Sequence, residues 1–247
     1  CCCCCCCCVV LVIVVLVLGV ASYGVYSHGY QMPHLSPVWS AELDVTVVTT
    51  IDDVSVTVSF AGATAISDDE GKAIAVYADM TGEYVDVHTD EYYLWDPDEC
   101  VLSSAAEQGY HSSPSIFCPQ GTADSTWDWV DISYLGLDWK NGKLCYHHRG
   151  TAEEDGVSFE GDFWYDVYAS LTNHHGQIAA VCLSFDGIVL DVGSLAITQD
   201  IVFENLERDM ASDAFTLDPS CNDVSVSTPL LSHSRSILSR LRSARAQ

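Results

Sequence analysis

Most of this chain consists of short segments in which apolar residues alternate with polar ones, joined by brief turns. Residues 54–59 alternate valine with serine or threonine, and Asp52 and Asp53 separate them from the similar segment 43–50. Alternation with a period of two indicates a strand with one buried face, and the two aspartates favour a hairpin. Further strands are predicted at 72–79, 83–88, 91–95, 129–137, 143–147, 163–171, 177–185 and 194–203, with a short helix at 205–211. Because no strand–helix–strand rhythm occurs, the pattern predicts a mainly β domain with antiparallel connections.

The connections between these segments have their own signals. Asn141 and Gly142 predict a tight turn, whereas Asp186 and Gly187 are expected to end the strand before them. Residues 151–156 are interpreted as an acidic loop. Residues 100–127 lose the alternation and are rich in serine, glycine and proline, which predicts a long functional or disulfide-bonded loop.

The predicted strands 163–171 and 177–185 each have one strongly apolar face. The first places Phe163, Tyr165, Val167, Ala169 and Leu171 on one side, and the second places Ala179, Val181, Leu183 and Phe185 together. A sheet with such a face must cover it with another sheet, a helix or a ligand. A filled core is the default interpretation of any single one of these residues.

The charge of the chain limits its partners. Nine lysines and arginines stand against 35 aspartates and glutamates, a formal net charge of −26, and every acidic residue lies between Glu42 and Asp223. A surface of this sign repels nucleic-acid phosphates and anionic membranes. We therefore expect no nucleic-acid partner, and membrane contact only through the two ends of the chain.

Both ends differ in composition from the central part of the chain. Residues 9–20 are almost entirely aliphatic, so residues 1–21 are predicted to be a cleaved signal peptide or, as the alternative, a membrane anchor. Residues 22–38 are interpreted as a linker and 39–223 as the β domain. Residues 224–247 alternate leucine and isoleucine with serine and arginine, which favours a basic amphipathic helix or a frayed polar tail.

The cysteines indicate an oxidising compartment. Eight of the 13 form the run at positions 1–8, which has no framework spacing; the others are Cys100, Cys118, Cys145, Cys182 and Cys221. No Cys-x-x-Cys pair occurs, which argues against a zinc knuckle. Widely spaced cysteines in a β-rich chain that follows an apolar leader indicate disulfides and secretion, or delivery to an endolysosomal lumen.

The order of aromatic residues and cysteines resembles that of the ependymin-related family, whose fold is similar to bacterial lipoprotein carriers. The matching elements span about 43–221 and comprise Leu94, Trp95, Cys100, Pro114, Phe117, Cys118, Val181, Cys182, Phe203, Asn205, Asp209, Phe215, Pro219 and Cys221. The resemblance implies two curved antiparallel sheets around a hydrophobic pocket, lipid binding, dimerisation and calcium sensitivity. It also implies the disulfides Cys100–Cys221 and Cys118–Cys182, with Cys145 left as a buried thiol or an intermolecular partner.

No catalytic motif competes with this resemblance. The chain lacks a nucleophile elbow and a phosphate-binding loop, so we expect a binding protein and not an enzyme. Asp68, Asp69 and Glu70 resemble a cation-binding turn without EF-hand spacing, which predicts weak calcium binding at most. Adjacent histidines on a strand point to opposite faces, so neither His147–His148 nor His174–His175 predicts a zinc site.

The sequence therefore favours a secreted protein that binds a fatty acid or another lipid in an apolar pocket. The residues predicted to line this pocket are Tyr77, Tyr93, Phe163, Tyr165, Val167 and Leu183. Two alternatives stay open, an acidic extracellular matrix or adhesion protein, and a carbohydrate-binding sandwich that uses Trp127, Trp129 and Trp139. A homodimer is compatible with each of them.

Overall fold

The structure of the chain is a computed structural model. It describes residues 2–31, 33, 35–108, 110, 130–154, 157–173, 178–190, 193–208, 213–223 and 225–226. Two α-helices and twelve strands lie in these ranges: α1 (Cys2–His28), β1 (Val38–Ile51), β2 (Val54–Ser67), β3 (Lys72–Tyr77), β4 (Gly82–Asp86), β5 (Glu91–Trp95), β6 (Cys100–Ser103), β7 (Val130–Lys140), β8 (Lys143–Glu154), β9 (Val157–Asp166), α2 (Val167–Asn173), β10 (Ile178–Leu190), β11 (Gly193–Glu207) and β12 (Ser225–Val226). Short 3₁₀ helices occupy Ala106–Gln108 and Pro219–Asp223. The mainly β prediction is confirmed.

All twelve described strands belong to one sheet. Their order is β12-β6-β5-β4-β3-β2-β1-β11-β10-β9-β8-β7, antiparallel throughout except that β12 runs parallel to β6. The sheet does not close, because β12 and β7 are its two edges. The prediction of two sheets is wrong for this part of the chain. Short connections keep most successive strands side by side, so the described strands extend one sheet instead of starting a second.

The two strongest turn predictions are confirmed. Asp52 and Asp53, between β1 and β2, adopt φ values of 48° and 66°, and Asn141 and Gly142, between β7 and β8, adopt 51° and 75°. Two successive residues with positive φ are the hallmark of a two-residue hairpin turn that matches the twist of the flanking strands. Aspartate, asparagine and glycine tolerate this conformation better than other residues.

Four local predictions are wrong. The strand predicted at 163–171 ends at Asp166, whose carboxylate accepts a hydrogen bond from the Ala169 backbone N–H at 2.9 Å and so caps α2. Residues 151–154 continue β8 instead of forming a loop. Asp186 and Gly187 form an irregularity inside β10, and the helix predicted at 205–211 is replaced up to residue 207 by the end of β11. In the last two cases strand pairing outweighs the local turn or helix signal.

The apolar side chains of one face of the sheet form the main core. The central strands contribute Leu43, Val45, Val85, Tyr146, Phe163, Tyr165, Val181 and Ile201, each at most 1% exposed. Leu35, Ala105, Tyr110, Val25 of α1 and Val167 of α2 also pack into this cluster from outside the strands. We call this face, with the cluster that it buries, the inner face.

One predicted disulfide is confirmed and the other is wrong. Cys100 is bonded to Cys221, which joins β6 to the 3₁₀ helix near the end of the described chain. Cys182 is a free thiol; it lies in the middle of β10, paired in register with Asp162 on one side and Asp200 on the other. Cys118 lies outside the described residues. Cys145 is a buried free thiol, one of the two states predicted for it.

Helix α1 includes an apolar span that is long enough to cross a membrane. Residues Val10–His28 contain no charged side chain, and none of the span's most apolar window is buried against the rest of the protein. At 1.5 Å per residue, the length of the span Val10–His28 is close to the roughly 30 Å thickness of a bilayer core. A signal sequence satisfies the same criteria, so both predictions for the leader remain open. The amphipathic helix predicted in the tail lies outside the described residues.

Candidate ligand-binding site

A carboxylate lies inside the apolar core. Glu83 on β4 is 3% exposed, and its strand neighbour Val85 points into the same inner face. The Tyr92 hydroxyl donates a hydrogen bond of 3.0 Å to Glu83 Oε2, and the Tyr77 hydroxyl donates a longer one of 3.4 Å to Oε1. Tyr110 stacks on the Tyr92 ring with 5.7 Å between ring centroids. We call Tyr77, Glu83 and Tyr92 the carboxylate cluster.

The sheet positions this cluster by register. Glu83 on β4 is paired with Ala75 of β3 and with Leu94 of β5, so tyrosines two residues from each partner reach its side chain. A buried carboxylate is costly unless hydrogen bonds compensate for its lost hydration. The two phenol hydroxyls supply such bonds from both neighbouring strands. The cluster therefore places a hydrogen-bonded carboxyl group within a mostly apolar interior.

Four of the six predicted pocket residues lie on the inner face. Tyr77, Phe163, Tyr165 and Val167 are members of its core cluster. Tyr93 lies on the opposite side of the sheet, where its ring packs against Tyr84, because neighbouring residues on a strand alternate between faces. Leu183 lies in β10, and its side chain is outside the described part of the structure.

Glu83 was not among the residues predicted to form the site, although the sequence contains a signal for it. Glu83, Val85 and Val87 alternate along a predicted strand, which places the glutamate on the same side as two valines. An acidic residue in such a position indicates either that this face of the strand is exposed or that the carboxylate is buried with hydrogen-bond partners. Only the partners Tyr77 and Tyr92, from two other strands, distinguish the two.

A second polar group lies on the inner face, at the β7 edge of the sheet. Tyr134 of β7 pairs in register with His148 of β8, with 5.2 Å between ring centroids, and the Tyr134 and Tyr146 rings are 6.1 Å apart. His148 is 2% exposed and Tyr146 is fully buried. Tyr134 Oη, Tyr146 Oη and His148 Nδ1 are all buried, and none of them has a hydrogen-bond partner. We call these three residues the phenol–imidazole cluster.

The protonation states in this cluster follow from burial. Burial lowers the pKa of His148, so its neutral form is favoured. Burial also raises the pKa of Tyr146, and it raises the pKa of Tyr134 to about 12. At neutral pH the cluster therefore presents two phenol donors and an uncharged imidazole.

The end of α1 packs over the phenol–imidazole cluster. The Gly29 carbonyl accepts a hydrogen bond from His148 Nε2 at 2.8 Å. The rings of Tyr26 and Tyr30 lie 5.5 Å and 5.1 Å from that of Tyr134, and a Cβ at position 29 would clash with the same ring. Glycine is therefore required at position 29 for the chain to pass this close.

The other face of β7–β11 holds an ionic network. Arg149 donates two hydrogen bonds of 2.9 and 2.8 Å to the Asp162 carboxylate, and His147 Nε2 lies 2.6 Å from Asp162 Oδ1. Burial disfavours ionisation of Asp162, but the Arg149 and His147 hydrogen bonds outweigh it and lower its pKa. His147 also stacks on Trp164, and Lys140 lies over the same indole. These contacts tie β7, β8 and β9 together.

The two free thiols beside this network are poor nucleophiles. Burial raises the pKa of Cys145 to about 11 and also raises that of Cys182. The reactive form of cysteine is the thiolate, which these environments disfavour. The side-chain contacts in this region join neighbouring strands, and they do not activate either thiol as a nucleophile.

The predicted cation-binding turn does not gather its three acids. Glu70 forms an ion pair with Lys72 at 3.3 Å, and the Glu70 backbone N–H is bonded to Ser67 Oγ. Within the described ranges no group of three or more histidine, cysteine or acidic side chains is arranged to hold a metal ion. Weak calcium binding at Asp68, Asp69 and Glu70 stays a prediction. Of the three tryptophans proposed for carbohydrate binding, Trp139 is 69% exposed, and Trp127 and Trp129 lie outside the described residues.

Comparisons with known proteins give only distant likenesses. No family model matches this chain, and no curated protein matches its sequence. Among solved structures, an outer membrane lipoprotein-sorting protein domain from Vibrio parahaemolyticus is similar at a TM-score of 0.34 and 11% identity, covering 72% of this chain and 89% of that one. The lipoprotein LppX from Mycobacterium tuberculosis has a TM-score of 0.33 and 13% identity over 70% of this chain and 90% of its own. A DUF1329 family protein from Desulfovibrio piger has a TM-score of 0.35 and 14% identity over 82% of this chain and 98% of its own.

These likenesses include lipoproteins, but they are too weak to carry a functional conclusion. Membership of the ependymin-related family stays an expectation from the sequence. The function proposed below rests on the residues of this chain.

Proposed function

We propose that this protein binds a hydrophobic small molecule, a lipid, against the inner face of its sheet. The observation that carries the proposal is the carboxylate cluster: Glu83 and two tyrosine hydroxyls inside an apolar cluster that extends across most of the sheet. Ligand sites are typically apolar concave surfaces with a few convergent polar groups that orient the bound molecule. The inner face has this composition.

The energetics suit an apolar ligand. A ligand that removes about 300 Å² of apolar surface from water gains roughly 7 kcal/mol at 25 cal/mol per Å². Part of this gain is offset by the loss of translational and rotational freedom. The polar groups then contribute orientation and selectivity more than affinity.

The charge of the interior and of the whole chain restricts the ligand. The Glu83 carboxylate lies within the apolar cluster, and the formal net charge is −26. Both disfavour an anionic ligand such as an ionised fatty acid. We therefore propose an uncharged lipid, which narrows the prediction from the sequence.

The covalent structure supports a proposal for the compartment. A disulfide joins Cys100 to Cys221, and an apolar helix precedes the domain. Disulfides persist in the secretory pathway and outside the cell. We propose that the protein acts there, released or held by its leader.

Native mass spectrometry of the full chain secreted from a eukaryotic host, before and after organic extraction, tests this function. A co-purified mass in the lipid range that extraction removes is the expected result. The extracted protein should then bind Nile red, an uncharged hydrophobic dye, with a saturable signal. A clean apo mass together with no saturable signal would overturn the proposal.

Two matched variants locate the site. Tyr77→Phe removes a hydroxyl on the inner face, and Tyr93→Phe makes the same change on the opposite side of the sheet. We expect Tyr77→Phe to change the dye's affinity or emission maximum and Tyr93→Phe to leave both unchanged. Equal effects of the two variants would place the dye elsewhere.

A further inference from the structure

The phenol–imidazole cluster concentrates unpartnered polar atoms. Three buried side-chain polar atoms in the described ranges lack a hydrogen-bond partner and belong to contacting rings, those of Tyr134, Tyr146 and His148. Buried polar groups are normally hydrogen-bonded, and an unpartnered one costs free energy. Three such atoms, on the Tyr134 ring and on the two rings that contact it, are therefore a specific feature of this fold that calls for a partner.

The hydrogen bond to Gly29 defines what His148 offers. A carbonyl oxygen can only accept, so His148 Nε2 must donate its hydrogen to Gly29. In the neutral imidazole the other nitrogen, Nδ1, then carries a lone pair and accepts. The unpartnered atoms are consequently one acceptor on His148 and one hydroxyl each on Tyr134 and Tyr146.

This combination matches one common functional group. A hydroxyl donates one hydrogen bond and accepts others, so it can satisfy the imidazole and a phenol at the same time. A carboxylate only accepts, and would bring its charge against the imidazole lone pair. An ether or an ester oxygen can accept from the phenols but leaves Nδ1 without a donor.

The cluster is continuous with the apolar interior. Tyr146 belongs to the inner-face core together with Phe163 and Tyr165, and His148 stacks edge-on against Tyr165 with 5.6 Å between ring centroids. On the other side, the turn that follows α1 covers it through Gly29 and Tyr30. A ligand bound here would have its polar end under the turn and its apolar part along the inner face.

We propose that Tyr134, Tyr146 and His148 form the head-group subsite of the lipid site and recognise the hydroxyl of an uncharged lipid alcohol. The hydroxyl donates to His148 Nδ1 and accepts from a tyrosine hydroxyl. This inference rests on the proposed function and adds the ligand's head group. It assigns a role to a histidine that the sequence analysis considered only as a metal ligand.

A series of three probes tests the inference on the full chain after organic extraction. Each probe carries pyrene at one end of the same alkyl chain, and the other end is a hydroxyl, a methyl ether or a carboxylate. We expect the alcohol to bind about tenfold tighter than the ether, the ratio that one hydrogen bond to a buried acceptor provides. The carboxylate should bind more weakly than the alcohol.

Adjacent histidines supply matched variants. His148→Phe removes the acceptor on the inner face, whereas His147→Phe changes the ionic network on the other face. We expect the alcohol-to-ether ratio to fall to about one in His148→Phe and to persist in His147→Phe. Tyr146→Phe keeps the imidazole and removes a donor that both probes can use, so it should weaken both probes and leave their ratio unchanged. His148→Leu is the second variant if His148→Phe does not fold.

The outcomes separate this inference from the function on which it rests. If no probe gives saturable binding, the lipid-binding function fails. If alcohol and ether bind wild-type protein equally, the function holds, and the cluster holds at most a buried water. A carboxylate that binds tightest would also overturn the inference.

Discussion

The two halves of the sheet contain different polar clusters. The stapled half, β1–β6 with β12, contains the Cys100–Cys221 disulfide and a carboxylate cluster whose hydroxyls are bonded to Glu83. The open half, β7–β11, contains neither disulfide nor ion pair on its inner face among the described residues, and its phenol–imidazole cluster has three atoms without partners. Trp39 Nε1 and Thr49 Oγ1 of β1 also lack partners, so the contrast is between the two clusters and not between all buried polar groups of the two halves. In our proposal, the phenol–imidazole cluster keeps its hydrogen-bonding capacity for a ligand.

The two edges of the sheet also differ, in how far other elements cover them. The stapled edge is covered by β12 and by the 3₁₀ helix that contains Cys221. The β7 edge has two irregularities in its pairing with β8, and exposes Leu135, Leu137 and Trp139. The turn after α1 packs on its inner side.

The largest expected effect comes from the disulfide. Replacing Cys100 and Cys221 with alanine opens a loop with a sequence separation of 121. The chain-entropy model gives a loss of about 5 kcal/mol in unfolding free energy, measured by urea denaturation. Cys182→Ala, which removes a free thiol, is the control and should cost less than about 1 kcal/mol. Similar losses in unfolding free energy for both variants would show that the disulfide does not stabilise the stapled half more than a free thiol stabilises the open half.

The next largest effect is expected at Glu83. Glu83→Ala leaves the hydroxyls of Tyr77 and Tyr92 without their carboxylate in an apolar interior. We expect a loss of about 3 kcal/mol, because two buried hydrogen bonds to a carboxylate are lost and charge-assisted hydrogen bonds are stronger than neutral ones. Glu99→Ala, at an exposed position, is the control. Thermal unfolding followed by circular dichroism measures both variants. If Glu83→Ala is as stable as wild type, the carboxylate cluster does not stabilise the stapled half.

A pair of tyrosine substitutions compares the two clusters directly. Tyr92→Phe removes a hydroxyl that is bonded to Glu83, whereas Tyr146→Phe removes a buried hydroxyl that has no partner. Without ligand, we expect Tyr92→Phe to lose about 1.5 kcal/mol and Tyr146→Phe to be neutral or slightly stabilising. Guanidinium denaturation of extracted protein gives both values. Equal losses would mean that the Tyr146 hydroxyl has a partner in solution.

The smallest effect is a pH dependence of the open half. Burial lowers the pKa of His148 in the folded protein, so the unfolded chain takes up a proton first as the pH falls below about 6.5. The contribution of His148 to the unfolding free energy is then fully present above this pH. It decreases as the pH falls, by at most about 1.4 kcal/mol per pH unit. The unfolding free energy of wild type minus that of His148→Phe, measured from pH 7.5 to 5, should show this slope. The same subtraction with His147→Phe controls for the neighbouring histidine, and a flat difference for His148→Phe would mean that its imidazole is not desolvated.

The sequence predicted the strands well where alternation and turn residues agree. The β1–β2 and β7–β8 hairpins follow from Asp52–Asp53 and Asn141–Gly142, and the segment 91–95 matches β5. It failed where two local signals conflict. The apolar alternation of 163–171 predicted one continuous strand. Asp166 instead caps a helix, and Val167 and Leu171, four residues apart, also fit a helical spacing.

The candidate site was predictable only in part. Tyr77, Phe163 and Tyr165 lie on the inner face, as period-two alternation predicts, whereas Val167 reaches the same cluster from the start of α2. Tyr93 falls on the other side, because a one-residue difference in position on a strand exchanges faces. Neither polar cluster could be found in advance, since each combines residues from strands whose pairing the sequence does not state.

By itself, the sequence of this protein determined the mainly β class, the tight turns, the apolar leader and the acidic surface, because each depends on residues close together in the chain. The tertiary structure alone decided that the described strands form one sheet, that Cys182 stays free, and that Glu83 and His148 face the same apolar interior. These features depend on strand order and register, which bring together residues as distant as Gly29 and His148. A hydrogen bond between such residues is decided by the long-range packing of the folded chain.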